Sequence, residues 1–270
     1  MKRGAAAAKI NLALVVGPRR ADGLHELATI YQRIALADRI SVQRSAELKV
    51  DGFAADTLVR RALERVADGG GASFAARIEK RIPVAAGLGG GSSDAATALR
   101  LANELRVEPK PPAALRAHAR ELGADVPFFL EDGPQLGLGD GSDLSPIDLP
   151  QDYWILLVIP RDIEKQSTKD VYDAFDAREG KRGYEARRGA LLQLLSSLRR
   201  PRDLSALPPN DLCSSPLADA LRELGAFRSD VTGAGPTVYG LFLHGAHARE
   251  ARKRMSPFGR TWLTAPSWYR

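Results

Sequence analysis

IPVAAGLGGGSSDAATAL, residues 82–99, sets Gly89, Gly90, Gly91, Ser92 and Ser93 directly ahead of a helix-forming run. Glycine has no Cβ, so such a backbone can come close to a ligand and take φ > 0. The first turn of the following helix offers unpaired N–H groups and the positive end of the helix dipole. Together these make a phosphate cradle from main chain. The loop is not of the Walker type, because no Lys follows the glycines at the helix start. It is not a dinucleotide fingerprint either, because no βαβ unit with a terminal acidic residue follows. A purely structural turn would use the same glycines, but the two serines add hydroxyl donors and point to a nucleotide enzyme.

Working outward, Ile10, Leu12, Leu14 and Val16 alternate with Lys9, Asn11 and Ala13. This predicts a strand with Lys9 and Asn11 together on the face turned from the core. Residues 17–23, GPRRADG, read as a turn. Strands are expected over 29–36, 39–43 and 73–79, and a helix over 56–67. Past the glycines, Ala95, Leu99, Ala102 and Leu105 share a core-facing helical stripe. A helix over 113–122 stops at Gly123, and 133–141 reads as loop and sheet edge. The composition changes near 146–151 and places a domain boundary between 148 and 149. Beyond it, strands over 153–159, 226–232, 237–243 and 260–263 and helices over 168–176, 184–198, 217–224 and 246–255 follow a ferredoxin-like split unit with added helices.

Composition sets the bounds. Hydrophobic residues make up 44% of the 270, ample for a core. No apolar run reaches the roughly 18 residues of a membrane span. The start, MKRGAAAAKINLAL, is broken by Lys9 and Asn11 and reads as a first strand rather than a signal peptide. The lone Cys213 excludes an internal disulfide and a cysteine metal cluster, and fits a reducing cytoplasm. The net charge of +6 is dispersed; its densest clusters, Arg187–Arg188 and Arg199–Arg202, read as solvated helix surface. The expected partner is therefore a small molecule, with neither nucleic acid nor membrane; the sequence leaves monomer or homodimer open.

The run Pro83–Ser93 resembles the phosphate loop of the GHMP kinase superfamily, and residues 232–242, TGAGPTVYGLF, are similar to its C-terminal glycine motif. Residues 8–14 (AKINLAL), 22–27 (DGLHEL) and 123–129 (GADVPFF) are similar to one branch, which phosphorylates 4-diphosphocytidyl-2-C-methyl-D-erythritol in non-mevalonate isoprenoid synthesis. The resemblance implies a two-domain α+β fold, with a mixed α/β nucleotide-binding domain over 1–148 and a ferredoxin-like domain over 149–270. It implies transfer of the γ-phosphate of ATP, accompanied by Mg²⁺, to the acceptor's 2-hydroxyl. The nucleotide would be held by Pro83, Val84, Ala85, Ala86, Gly87, Leu88, Gly89, Gly90, Gly91, Ser92 and Ser93. No protein ligand to Mg²⁺ is assigned.

A tertiary hydroxyl is crowded and feebly acidic, so transfer needs a base for its proton and a cation to hold charge. Asp125 matches the base and Lys9 its charged partner. Each alone reads as well as a turn-capping carboxylate and a solvated strand lysine; the joint motifs decide for chemistry. Asn11 binds substrate or positions Lys9. His25 matches a histidine that reads the cytosine edge. Leu24 stands where the family usually has a stacking Tyr, a loss of about 0.5–1.5 kcal/mol. Tyr172, in residues 166–175 (QSTKDVYDAF), covers the other face of the base or packs in the core with Phe175. Thr168 contacts the substrate or caps its helix. Asn210 and Asp211 take a structural part, and Gly233 and Gly235 serve backbone needs. Two readings compete: the same chemistry on homoserine or mevalonate, and a nucleotide-binding sensor without turnover.

Overall fold

The computed structural model describes residues 1–53, 57–67, 73–161 and 167–267. Asp56 and Gln166, expected in or beside helices, lie outside the described residues. The chain forms two compact units. The first comprises Met1–Lys9, Leu36–Val84 and Gly89–Asp132; the second comprises Ile10–Ala35, Ala85–Leu88 and Gly133–Arg270. It passes from one to the other within strand β1 (Lys2–Arg19), within strand β2 (His25–Ser45) and in the glycine loop.

In the first unit, β4 (Ser73–Glu79) lies antiparallel to residues 39–45 of β2, and β3 (Lys49–Asp51) lies parallel to β4. Helices α1 (Leu58–Ala67), α2 (Gly90–Glu104) and α3 (Pro112–Leu122) supply the rest. The sequence of α1, LVRRALERVA, puts Val59, Leu63 and Val66 on one stripe, and all are fully buried against a core that includes Ala95, Leu99, Phe74 and Ile78. Each such leucine contributes roughly 1.5–3 kcal/mol by leaving water. Strand β1 approaches α2 through small residues: a Cβ on Gly4 would lie 3.1 Å from Thr97 and 3.4 Å from Leu101. Both faces of this strand are therefore covered. The expectation that Lys9 and Asn11 face away from the core is corrected: both are buried.

In the second unit, β5 (Gln135–Gly139) pairs with residues 27–31 of β2 on one side and with β6 (Asp143–Pro146) on the other. The expected loop and edge over 133–141 is thus an inner strand. Strands β7 (Trp154–Pro160), β8 (Arg228–Val231), β9 (Val238–Phe242) and β10 (Gly259–Thr264) form an antiparallel sheet in the order β10-β7-β9-β8. That is the ferredoxin-like order read from the sequence. Its core joins Leu156, Val158 and Phe242 to Leu221 of α6 (Pro216–Glu223) and Met255 of α7 (Gly245–Met255). A second cluster packs Leu14, Val16 and Leu27 on Val171 and Phe175 of α4 (Thr168–Ala177).

Three more readings change. The strands expected over 29–36 and 39–43 are one continuous strand, β2. Gly17 lies inside β1 rather than in a turn; its missing side chain admits Glu26 and the Tyr184 ring, each 3.0 Å from where a Cβ would stand. Arg187, on α5 (Tyr184–Leu195), is no solvated surface group: its guanidinium donates to Asp211 Oδ2 at 3.1 Å, Gly180 O at 2.9 Å and Val16 O at 3.2 Å.

Candidate active site

The glycine loop turns on three residues with left-handed backbone: Ala85 (φ 61°), Gly87 (φ 76°) and Gly89 (φ 68°). Helix α2 begins at Gly90, so Gly90–Ser93 form its first turn, and Ser93 N–H closes it on Gly89 O at 2.9 Å. Gly89 caps the helix with no side-chain acceptor, leaving the leading amides available to a ligand's oxygens. Loop residues Ala85–Leu88 belong to the second unit. There Thr237 Oγ1 donates to Ala86 O at 2.6 Å, and a Cβ on Gly87 would stand 2.8 Å from Gly235 O and 2.9 Å from Thr232 O. The TGAGPT segment thus buttresses the loop through its backbone. Asn210 fixes that segment in turn, donating to Val231 O at 3.0 Å and Gly233 O at 2.7 Å. Nearby Cys213 is partly buried, and burial pushes its thiol up to about 11, so it is no nucleophile.

Lys9 and Asp125 meet in the first unit, with Nζ 3.4 Å from Oδ2. Lys9 reaches there from β1, its stem running beside Gly89: a Cβ on that glycine would lie 3.1 Å from Lys9 Cγ. Asp125 stands between the end of α3 and a single helical turn, Pro127–Leu130. The buried Val126 and Phe128 anchor this corner on either side of Pro127. The Lys9 side chain is 5% exposed and that of Asp125 36%. The cation is thus enclosed, while the carboxylate can still meet an incoming hydroxyl.

A second charged group in this unit was not singled out in the sequence. Asp38 of β2 is fully buried and accepts Lys80 Nζ at 2.6 Å, Ile82 N–H at 2.8 Å and Arg81 N–H. Lys80 also donates to Oδ2 of Asp94, fully buried in α2, at 2.8 Å. Burial, only partly offset by Lys80, pushes Asp94 up to about 8. Burial also opposes charge on Lys80, but its bonds to Asp38 and Asp94 outweigh that and hold it above the usual lysine value. Asp94, inside the GGGSSDAA run, was the one available signal: an acid among small helical residues.

The expected substrate residues fall in the second unit. His25 is buried, its Nε2 2.9 Å from Asp176 Oδ1. The Tyr172 ring packs on it, centroids 4.8 Å apart and tilted by 30°. Phe175 is the core residue of that helix, and Tyr172 is only partly buried. Leu24, 49% exposed, precedes His25 at the surface. Asn11 donates from its backbone to Thr232 Oγ1 at 2.9 Å and from Nδ2 to Thr29 Oγ1 at 2.7 Å. Ser167, not Thr168, caps α4, in a capping box with Asp170. Thr168 follows in the first turn, exposed. Asp176 was missed, because its partner lies 151 residues away.

Comparison with known proteins gives the family. The family model of the GHMP kinases N terminal domain matches residues 57–133, and that of the GHMP kinases C terminal region matches 191–260. The 4-diphosphocytidyl-2-C-methyl-D-erythritol kinase of Anaeromyxobacter dehalogenans (strain 2CP-C) is 40% identical over 268 residues, covering 91% of this chain and 82% of its own. That of Moorella thermoacetica is 37% identical, covering 92% of each. A crystal structure of 4-(cytidine 5'-diphospho)-2C-methyl-D-erythritol kinase superposes with a TM-score of 0.79 at 32% identity, covering 98% of this chain and 100% of that one. On these matches the chain belongs to the GHMP kinases, in the branch of the 4-diphosphocytidyl-2-C-methyl-D-erythritol kinases.

Proposed function

We propose that this chain transfers the γ-phosphate of ATP to the 2-hydroxyl of 4-diphosphocytidyl-2-C-methyl-D-erythritol, a step of non-mevalonate isoprenoid synthesis, with Asp125 as base and Lys9 as its partner. The observation that carries the mechanism is the 3.4 Å approach of Lys9 to Asp125, with the lysine stem against Gly89 of the phosphate loop. Asp125 takes the hydroxyl proton. Lys9 aims the carboxylate and holds negative charge beside the loop. The amides of Gly90, Gly91 and Ser92 hold the outer phosphates. Catalysis is then mostly positioning and fixed charge.

Mg²⁺ comes with the triphosphate and offsets its charge when bound. Among the described residues no three His, Cys, Asp or Glu side chains gather into a cage. The donor set suits an ion held mainly by phosphate oxygens, with the Ser92 hydroxyl at the helix entrance as the chain's own contribution. On the acceptor side, His25 reads the cytosine edge, Tyr172 and Leu24 cover the base, and Asp176 fixes the His25 ring. Asn11 positions Lys9 through the strand they share, and Thr168 lies on the acceptor's side of α4. The two family matches fall on either side of residue 148, the boundary read from the sequence, although the compact units divide the chain elsewhere. Among the described residues no helix is long and apolar enough to cross a membrane. A single cysteine suits a cytoplasmic enzyme.

Labelled ATP offered with a panel of alcohols tests the reading. Label is expected in the cytidyl acceptor alone. Faster labelling of homoserine or mevalonate would overturn the acceptor, and nucleotide binding without transfer to any alcohol would overturn the activity.

A further inference from the structure

We propose that the buried Asp38–Lys80–Asp94 relay is the positioning device of the phosphate loop, tying the residues that lead into it to the start of the helix that leaves it. The inference rests on the reading of that loop as the ATP site.

All the groups of this relay lie in the first unit. Asp38 uses one carboxylate oxygen for the backbone N–H groups of Arg81 and Ile82, immediately before the loop. Its other oxygen accepts Lys80 Nζ at 2.6 Å. Lys80 then crosses to Asp94 at 2.8 Å, in the first turn and a half of α2. Both carboxylates are fully buried and the Lys80 side chain is 16% exposed.

A helix N-terminus repels an ammonium, yet Lys80 Nζ lies 3.3 Å from where a Cβ on Gly90 would stand. The flanking Asp38 and Asp94, with the Phe53 ring 5.6 Å from Nζ, keep it there. The same hypothetical Cβ would stand 3.1 Å from Ile82 Cγ2, so Gly90 is what lets the helix close on the approach segment. Neutralising Lys80 removes the bridge between Asp38 and Asp94, and the loop's two ends lose the bonds that tie them. The amides of Gly90, Gly91 and Ser92 then lose the spacing a triphosphate needs.

The test uses the full chain and the series Lys80→Arg, Lys80→Gln and Lys80→Met. Binding of adenylyl imidodiphosphate with Mg²⁺ is measured by titration calorimetry, with KM for ATP and for the acceptor, and hydrogen exchange at residues 90–93. A roughly tenfold loss of nucleotide affinity is expected for Gln, more for Met, with partial recovery for Arg. Acceptor KM should stay within about twofold, and exchange should quicken at 90–93 while α1 keeps its protection. Unchanged nucleotide affinity in folded Lys80→Gln would overturn the proposal. So would an equal rise in both KM values, or a Gln variant that is unfolded at assay temperature, since the relay would then be a general stability element. If the wild type itself binds no nucleotide, the reading of the loop falls first.

Discussion

Lys9 and Asp125 differ in exposure, and that difference supports the parts proposed for them. A 5% exposed ammonium cannot exchange protons freely with an acceptor, whereas a 36% exposed carboxylate can be reached. Asp125→Asn keeps the shape and removes the base, so kcat should fall by about 10²–10⁴-fold while the unfolding temperature stays put. Near-normal turnover would remove Asp125 from the mechanism. His25 makes a separate prediction. It is buried between Asp176 and the Tyr172 ring, so His25→Phe keeps the packing and loses the polar edge. KM for the cytidyl acceptor should rise about tenfold, the worth of one hydrogen bond, with KM for ATP unaltered. Equal KM values in wild type and variant would mean His25 does not touch the base. The meeting of Lys9 and Asp125 was legible because each sits in a distinctive short string. Asp176 and Asp38 were not, because an ordinary aspartate gains meaning only when the fold delivers a partner 151 or 42 residues distant.

At the scale of elements, Gly89 and α2 belong together as the end of the glycine loop. Gly89 has φ 68°, and a Cβ there would stand 2.9 Å from the Phe129 ring and 3.1 Å from Lys9 Cγ. Gly89→Ala therefore combines left-handed strain of about 1 kcal/mol with displacement of Lys9. It should raise KM for ATP and lower kcat together, a double effect that Asp125→Asn lacks. A kcat equal to wild type would show that Lys9 does not depend on this close approach. The helix itself was legible from its apolar stripe. Strand β1 was legible as a strand but not in its burial, because Ala6, Ala7 and Ala8 give little hydrophobic contrast. Their value is their small size, which brings the strand against α2. Likewise β5, QLGLG, carries two glycines that read as loop; a Cβ on Gly137 would stand 2.6 Å from the Tyr31 ring, so the glycine is a packing requirement inside the sheet.

For the whole molecule, element order was the most legible feature, since the second half keeps a regular alternation whose sheet order follows from right-handed connection rules. The composition of the compact units was not legible, because the chain changes unit in mid-strand, at Lys9–Ile10 and Ala35–Leu36. The same burial that hides this organisation from sequence couples stability to pH. Asp94 is fully buried, faced by Asp38 from β2 and by Lys80 from the segment after β4, and its Oδ1 has no partner among the described residues. That oxygen is where a proton would reside. Folding raises the group from 3.8 to about 8, so the native state holds the proton more tightly than the unfolded chain. The stabilising contribution is complete below about pH 4 and is lost as pH rises through 8, a change on the order of a few kcal/mol. Lys80, held above its usual value, stays charged through this window and does not reverse the sign. Asp94→Asn cannot ionise and should abolish this component. Urea midpoints taken at pH 5, 7 and 9 should therefore fall more steeply for wild type than for Asp94→Asn. Two parallel profiles would mean that Asp94 is already ionised in the native state at pH 5, with Lys80 fully balancing its charge.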